Sequence, residues 1–238
     1  MMTKLKNLSI TLKTRPNGMI DSENFSKKIS DVETLRENQV LIKVLYLSLD
    51  PYMRGRMSEA KSYADPLKIG EIITAESAGI VIESKSTKYS VGEYVCCRSG
   101  WQEYFISNDK DPMTYKVDPK LVPLSTYLGV CGMTGRTAYF GLMKEASPSK
   151  GETLVVSAAS GAVGSIVGQI GKKIGLNVIG IAGSDEKCNY VVDELNFDGC
   201  VNYKSVFFRD ELASELDSGV DIYFESVGGL VTETVTEF

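Results

Sequence analysis

Near residue 125 the period of the apolar positions changes. Before it, short β-branched runs are separated by polar or glycine-bearing turns; after it, apolar runs of strand length alternate with apolar residues three and four apart. In the first stretch Val40–Leu49 predicts one long extended segment, dense enough to be largely buried, and Asp50-Pro51 ends it, since proline restricts the residue before it. Gly79–Glu83 and Glu93–Cys97 predict further short strands, and strands at such spacing suggest a small barrel. Lys116–Pro123, with two prolines, reads as a connector. In the second stretch Gly132–Gly141 opens a helix, and Thr153–Ser157 predicts a strand. Val163, Ile166, Val167, Ile170 and Ile174 then predict a helix that Gly175 closes in a left-handed cap. Val178–Ala182 is the next strand, so this is a β-turn-α-β unit whose parallel strands need the crossover helix. The alternation continues with a helix at Val191, Val192 and Leu195, a strand at Cys200–Tyr203, and a helix at Phe208, Leu212 and Leu216. Val220–Phe224 is a fourth strand, running into Glu225-Ser226-Val227-Gly228-Gly229. The fold class is α/β: a β-barrel domain over residues 1–125 and a doubly wound parallel sheet over 126–238.

The turn after the first parallel strand carries chemistry. Ala159-Ser160-Gly161-Ala162-Val163-Gly164 is the dinucleotide fingerprint with alanine at its first glycine. Gly161 would let the backbone approach a pyrophosphate, and Gly164 would let helix and strand pack closely. The amides opening the helix would face the negative charge, helped by the helix dipole. Small residues also permit tight packing without a ligand, but here strand, turn, helix and second strand arrive in order.

The end of the second parallel strand bears on which nucleotide. NAD-binding sheets usually place Asp or Glu there, about 20 residues after the glycines, to bond the ribose 2′-hydroxyl. This chain has Gly183-Ser184, then Asp185, Glu186 and Lys187. A lysine in a helix's first turn opposes the dipole. Either Asp185 and Glu186 compensate it, or Lys187 and Ser184 hold the 2′-phosphate of NADP.

Composition narrows the chemistry further. A net charge of −5 over 238 residues argues against a general nucleic-acid binder. No apolar run reaches the roughly 18 residues that span a bilayer. Lys4 and Lys6 interrupt the N-terminus without a signal-peptide core, so the expected location is the cytoplasm. The sequence contains no histidine, which removes the commonest metal ligand and the commonest general base. Its five cysteines, Cys96, Cys97, Cys131, Cys188 and Cys200, lack zinc-site spacing and read as reduced thiols, mostly in the core. No metal site is expected.

Several segments together resemble the zinc-independent branch of the medium-chain dehydrogenase/reductases, on the side of the prostaglandin and alkenal double-bond reductases. They are Leu47–Met57 (L-S-L-D-P-Y-M-R-G-R-M), Gly132–Tyr139 (G-M-T-G-R-T-A-Y), Val156–Gly164, Gly183–Lys187 and Asn202-Tyr203-Lys204. The resemblance implies a GroES-like catalytic domain followed by a Rossmann domain, with NADPH in the cleft between them. It implies hydride transfer to the β-carbon of an α,β-unsaturated ketone or aldehyde, then protonation of the α-carbon. Residue by residue, Gly161, Ala162, Val163 and Gly164 would hold the pyrophosphate, and Gly183, Ser184, Lys187 and Tyr203 the adenosine-phosphate end. Met133 and Thr137 would lie near the nicotinamide. Tyr52 would face the substrate and could hydrogen-bond its carbonyl oxygen, stabilising enolate charge. Tyr52, Met133 and Tyr203 could instead be packing residues, and Arg54 and Arg56 read as structural ion pairs.

Two departures qualify the resemblance. Family members usually carry Asp-Asn before Val-Gly-Gly, the asparagine helping to hold the nicotinamide; here Glu225-Ser226 stand instead, so Ser226 would make a weaker or different contact. The family also continues with further strands and a return to the first domain, so this chain reads as C-terminally truncated, with Val220–Phe224 left as an exposed edge. A full-length form could be a homodimer. The expected partner is a small enone or enal, with no nucleic acid and no membrane. Two other functions stay open: a quinone reductase of the same superfamily, or a nucleotide-binding isoform without turnover.

Overall fold

The computed structural model describes residues 5–238, so Lys4 lies outside the described residues. Contacts divide the chain into two compact units, one running up to Leu128 and the other from Gly129 to Phe238.

The first unit is antiparallel. β1 (Lys6–Leu12) and β2 (Phe25–Asp31) form a hairpin. A five-stranded sheet follows in the order β6-β3-β4-β5-β7, made by β3 (Gln39–Leu47), β4 (Ser77–Ser84), β5 (Tyr94–Cys97), β6 (Tyr104–Asn108) and β7 (Tyr115–Val117). Bridges Ser9↔Gln102 and Thr11↔Ile72 tie the hairpin to the rest. β3 slips register against β4 between Leu41 and Ile42 and again between Val44 and Tyr46. Such bulges bend and twist a strand, which is how a short sheet curls around a core.

Sequence expectation and structure part at three places in this unit. β3 was expected to be largely buried, but only its first half is. Val40, Leu41 and Ile42 are buried, whereas Leu45 and Tyr46 are 44% and 49% exposed, because β6 pairs only with Gln39–Lys43. The expected connector at 116–123 begins inside β7, whose Lys116 pairs with Val95. Arg54 makes no ion pair among the described residues; its guanidinium donates to the carbonyls of Pro16 (3.2 Å) and Gly18 (2.9 Å). The Arg56 Nε is buried without a hydrogen-bond partner among the described residues.

The second unit is a parallel sheet in the order β10-β9-β8-β11, from β8 (Thr153–Val156), β9 (Asn177–Ala182), β10 (Gly199–Asn202) and β11 (Ile222–Phe224). The predicted crossover helix is α3 (Gly164–Ile174), the third helix after α1 (Tyr52–Arg56) and α2 (Met133–Phe140). Its Val167 is fully buried, and Val163, Ile166, Ile170 and Ile174 pack against the same core as Leu154 and Val178. Fully burying one such side chain contributes about 1.5–3 kcal/mol. Gly175 ends α3 at φ 88°, the left-handed cap expected of it. α4 (Asp185–Asp193), α5 (Phe208–Glu215) and α6 (Leu230–Val235) complete the alternation.

β11 is the edge of the sheet, as expected, and among the described residues pairs only with β8; its side chains are half-buried on both faces. Ile222 and Phe224 pack into the α3 core, while Tyr223 packs with Val231 and Val235 of α6. Among the described residues no helix is long and apolar enough to cross a membrane.

Candidate functional site

In an open parallel sheet, ligands bind beyond the carboxyl ends of the strands, where strand order reverses. Here β9 and β10 lie on one side of β8 and β11 on the other, so the reversal falls between β8 and β11. The expected fingerprint turn leaves β8 at that point.

Its geometry is set by close approach. A Cβ on Gly164 would stand 2.4 Å from the Ala158 carbonyl oxygen and 3.1 Å from the Ala159 Cα, so α3 starts against the turn's own backbone. A Cβ on Gly161 would be crowded only by the Ala158 oxygen, at 3.0 Å, the other atoms of that residue standing at 3.8 Å or more. Ala159, at the position where the fingerprint usually has glycine, is fully buried; the space for its methyl exists because Gly180 of β9 has no side chain facing it. The residue with left-handed backbone is its neighbour Ala158, at φ 48°. The amide of Gly161 donates to the Ala158 carbonyl at 2.8 Å. Among the described residues the amides of Ala162, Val163 and Gly164 have no acceptor. Open donors at the head of an eleven-residue helix suit a bound anion, so the turn fits a pyrophosphate.

The residues expected at the adenosine end come together beyond β9 and β10. Ser184 caps α4, its hydroxyl accepting from the Lys187 amide at 3.3 Å. Accepting there leaves the hydroxyl proton free to donate elsewhere. Gly183 lies against the Tyr203 ring, which a Cβ there would meet at 3.1 Å. The Asp185 carboxylate accepts from the Asn202 side-chain amide at 2.7 Å. Lys187 is exposed and makes no ion pair among the described residues, so its charge is available to an anion.

On α2, Met133 and Thr137 stand one helical turn apart and so share a face, Met133 half-buried and Thr137 exposed. The Thr134 hydroxyl beside them is buried without a hydrogen-bond partner among the described residues. In the first unit, Tyr52 begins α1; its ring packs with the core of Met53, Met57 and Ile73, and its hydroxyl lies 3.2 Å from the Thr74 hydroxyl. A groove of about 600 Å³, lined by Glu93, Lys116, Leu121 and Tyr127 among others, holds none of the expected site residues.

What sequence reading missed is a hydrogen-bond network at the start of the β11–α6 loop. The Glu225 carboxylate accepts from the hydroxyls of Tyr223 and Thr232 (2.6 Å) and from the amides of Val227 and Gly228 (2.6 Å). Burial pushes this carboxyl up, but the donors outweigh it and hold its pKa at about 2. Burial and the facing carboxylate push the Tyr223 phenol up to about 12. Fully buried Ser157, the first residue beyond β8, accepts from the Ser226 amide at 2.7 Å. Ser226 itself is exposed. The only sequence signal was the Glu225-Ser226 departure.

Cys96, Cys97 and Cys188 are buried and Cys200 half-buried, in line with the expectation for most of the set, and Cys131 is exposed. Burial pushes Cys97 up to about 12 and raises Cys188 and Cys200, so these stay protonated.

A bent antiparallel unit joined to a parallel sheet with open amides at its reversal point defines a class: two-unit proteins built on a dinucleotide-binding type of sheet. Comparison with known proteins narrows it. Residues 9–115 match the family described as the N-terminal domain of oxidoreductase, and residues 162–237 the family described as zinc-binding dehydrogenase. The chain is 45% identical over 98% of its length to the NADPH-dependent curcumin reductase of Escherichia coli, covering 67% of that protein. It is 41% identical over 95% of its length to mouse prostaglandin reductase 1, covering 67% of it. The crystal structure of CurA from Vibrio vulnificus in complex with NADPH superposes with a TM-score of 0.92 at 46% identity, over 97% of this chain and 68% of that one. The chain belongs to the medium-chain dehydrogenase/reductases, a family of oxidoreductases, and within it to the zinc-independent branch. It spans about two thirds of the length of these relatives. The two units accordingly are the GroES-like and Rossmann-like parts of that fold. The second family's description mentions zinc, yet this sequence has no histidine, and among the described residues no group of three or more Cys, Asp or Glu could hold a metal.

Proposed function

We propose that this chain is an NADPH-dependent reductase of the activated C=C bond in α,β-unsaturated ketones and aldehydes. The observation that carries the reading is the fingerprint turn, with unpaired amides on Ala162, Val163 and Gly164 and no Cβ on Gly161. The names of the curcumin and prostaglandin reductases it resembles support the cofactor and the substrate class. The first unit is the catalytic one and the second binds the nucleotide. The setting is the cytoplasm, without a nucleic-acid partner.

The residues present fit the nucleotide. The amides at the head of α3 would bind the pyrophosphate, and Gly161 leaves room for its approach. Lys187 and the free Ser184 hydroxyl proton would hold the 2′-phosphate, and the Tyr203 ring would back the adenosine across Gly183. Met133 and Thr137 would border the nicotinamide from one face of α2, and the exposed Ser226 would flank it from the β11–α6 loop. When bound, NADPH supplies a hydride for the substrate's β-carbon. Tyr52 would donate its hydroxyl proton in a hydrogen bond to the substrate carbonyl, stabilising charge as the enolate forms. Thr74, 3.2 Å from that hydroxyl, orients it.

The test is a titration of NADPH and NADH into wild type and Lys187→Ala, alongside turnover of a simple enone. A charge-assisted phosphate contact contributes about 1.5–3 kcal/mol, or tenfold to a hundredfold in affinity. That loss is expected for NADPH alone. Equal loss of both cofactors, or no loss, overturns the assignment of Lys187; failure of the wild type to bind either overturns the cofactor reading.

A further inference from the structure

Phe224 pairs with Val156, so Glu225 and Ser157 are the first residues beyond two adjacent parallel strands. The loops they begin flank the reversal point, one being the fingerprint turn and the other Glu225–Gly229. A dinucleotide centred on the fingerprint turn, with its adenosine toward β9 and β10, must extend its other half toward β11. The β11–α6 loop is therefore the wall on that side.

This loop has little stiffness of its own. Gly228 and Gly229 both take left-handed φ, 77° and 58°. A glycine in such a loop has more backbone freedom to lose on ordering than any other residue. Most of the hydrogen bonds that hold the loop converge on one exposed side chain. The Glu225 carboxylate gathers the amides of Val227 and Gly228 from the loop, the Tyr223 hydroxyl from β11 and the Thr232 hydroxyl from α6. Ser157 anchors the same loop to β8 by accepting from the Ser226 amide. Glu225 does not need this arrangement to fill the core: it lies at the surface, and the apolar cluster of β11 and α6 does not include it.

We infer that Glu225 is a positioning residue, which pre-forms the Ser226–Gly229 loop so that the half of the dinucleotide beyond the pyrophosphate binds without ordering it. The inference rests on the cofactor reading given above. A loop already ordered before binding spares the ligand that entropic cost, and a buttress made of several charge-assisted donors to one carboxylate is a strong form of such ordering. Glutamine at 225 keeps the size but loses the charge and replaces one acceptor oxygen with a donor, which faces amides and hydroxyls that also donate. Aspartate keeps the charge one methylene shorter, still within reach of the two loop amides through a tight side-chain turn.

The experiment compares two ligands: NADPH, and 2′,5′-ADP, which carries only the adenosine-phosphate half. Both are titrated calorimetrically into wild type, Glu225→Gln and Glu225→Asp, and amide hydrogen exchange is followed at Val227 and Gly228. Glu225→Gln is expected to weaken NADPH about tenfold or more, the loss of at least one charge-assisted bond, with 2′,5′-ADP affinity unchanged. Its Val227 and Gly228 amides should exchange faster. Glu225→Asp should recover most of the NADPH affinity and the slow exchange. A purely structural role would weaken both ligands together, and that result overturns the inference, as does unchanged NADPH affinity in Glu225→Gln. If 2′,5′-ADP binds wild type and NADPH binds no better, the inference fails while the adenosine site stands. If wild type binds neither, the cofactor reading fails and takes the inference with it.

Discussion

Gly161 and Gly164 belong to one motif, yet the structure gives them different jobs, and paired alanine substitutions should separate the two. At Gly164 the new methyl would stand 2.4 Å from the Ala158 carbonyl oxygen, 3.0 Å from its carbon and 3.1 Å from the Ala159 Cα, all of them backbone. Nothing flexible can yield, so α3 must move away from β8. Overpacking of this kind costs about 1–3 kcal/mol. Alanine returns up to about 1 kcal/mol by restricting the unfolded chain and favouring the helix. The net loss is about 1–2 kcal/mol, equivalent to roughly 5–15 °C in the melting temperature of a domain this size. At Gly161 the added methyl meets a single atom at 3.0 Å, which a shift of a few tenths of an ångström relieves. There the melting temperature should move by less than about 2 °C, while NADPH affinity falls about tenfold to a hundredfold as the methyl holds the pyrophosphate off the amides. Calorimetric melting of the ligand-free proteins and NADPH titration of all three read both quantities. Gly164→Ala melting with wild type, or Gly161→Ala losing stability rather than affinity, would refute the division of labour.

Three further outcomes are expected. Phe197 is buried with its ring lying over Gly168, where no side chain can fill the gap left behind; Phe197→Ala should cost about 3–5 kcal/mol in urea unfolding, and a loss below about 1 kcal/mol would contradict the packing. The Glu225 carboxyl is lowered on folding from its ordinary 4.5 to about 2, so its stabilising effect is fully present above the unfolded value and is lost as pH falls through the folded one. The stability gap between wild type and Glu225→Gln should therefore be constant above about pH 5 and shrink toward pH 2; a gap that widens on acidification would show the sign to be wrong. Chelator treatment should leave NADPH-driven enone reduction unchanged, whereas stoichiometric zinc in the purified protein would count against a metal-free mechanism.

Much of the second unit was legible in the sequence because its signals are local. The apolar spacing from Val163 to Ile174, the glycine at 175 and the β-branched runs at 153 and 178 each act within one element, and each element formed where its pattern lies. Gly164 was readable for a similar reason, since the residue it must approach is only six positions away. The first unit was less legible. Whether the far half of β3 is buried depends on how many residues β6 lends to its edge, and pairing between residues some sixty positions apart leaves no periodic trace in either strand. The same limit hid the role of Glu225. Nothing near it in the chain announces that Tyr223, Thr232 and two loop amides will converge on its carboxylate, or that Ser157, 69 residues away from Ser226, will anchor the loop. Local propensity determined the elements and the glycine turn at the head of α3. Which residues brace the rest of the site was decided only when parallel pairing set the ends of β8 and β11 side by side, because a hydrogen-bond network depends on distance in space and not along the chain.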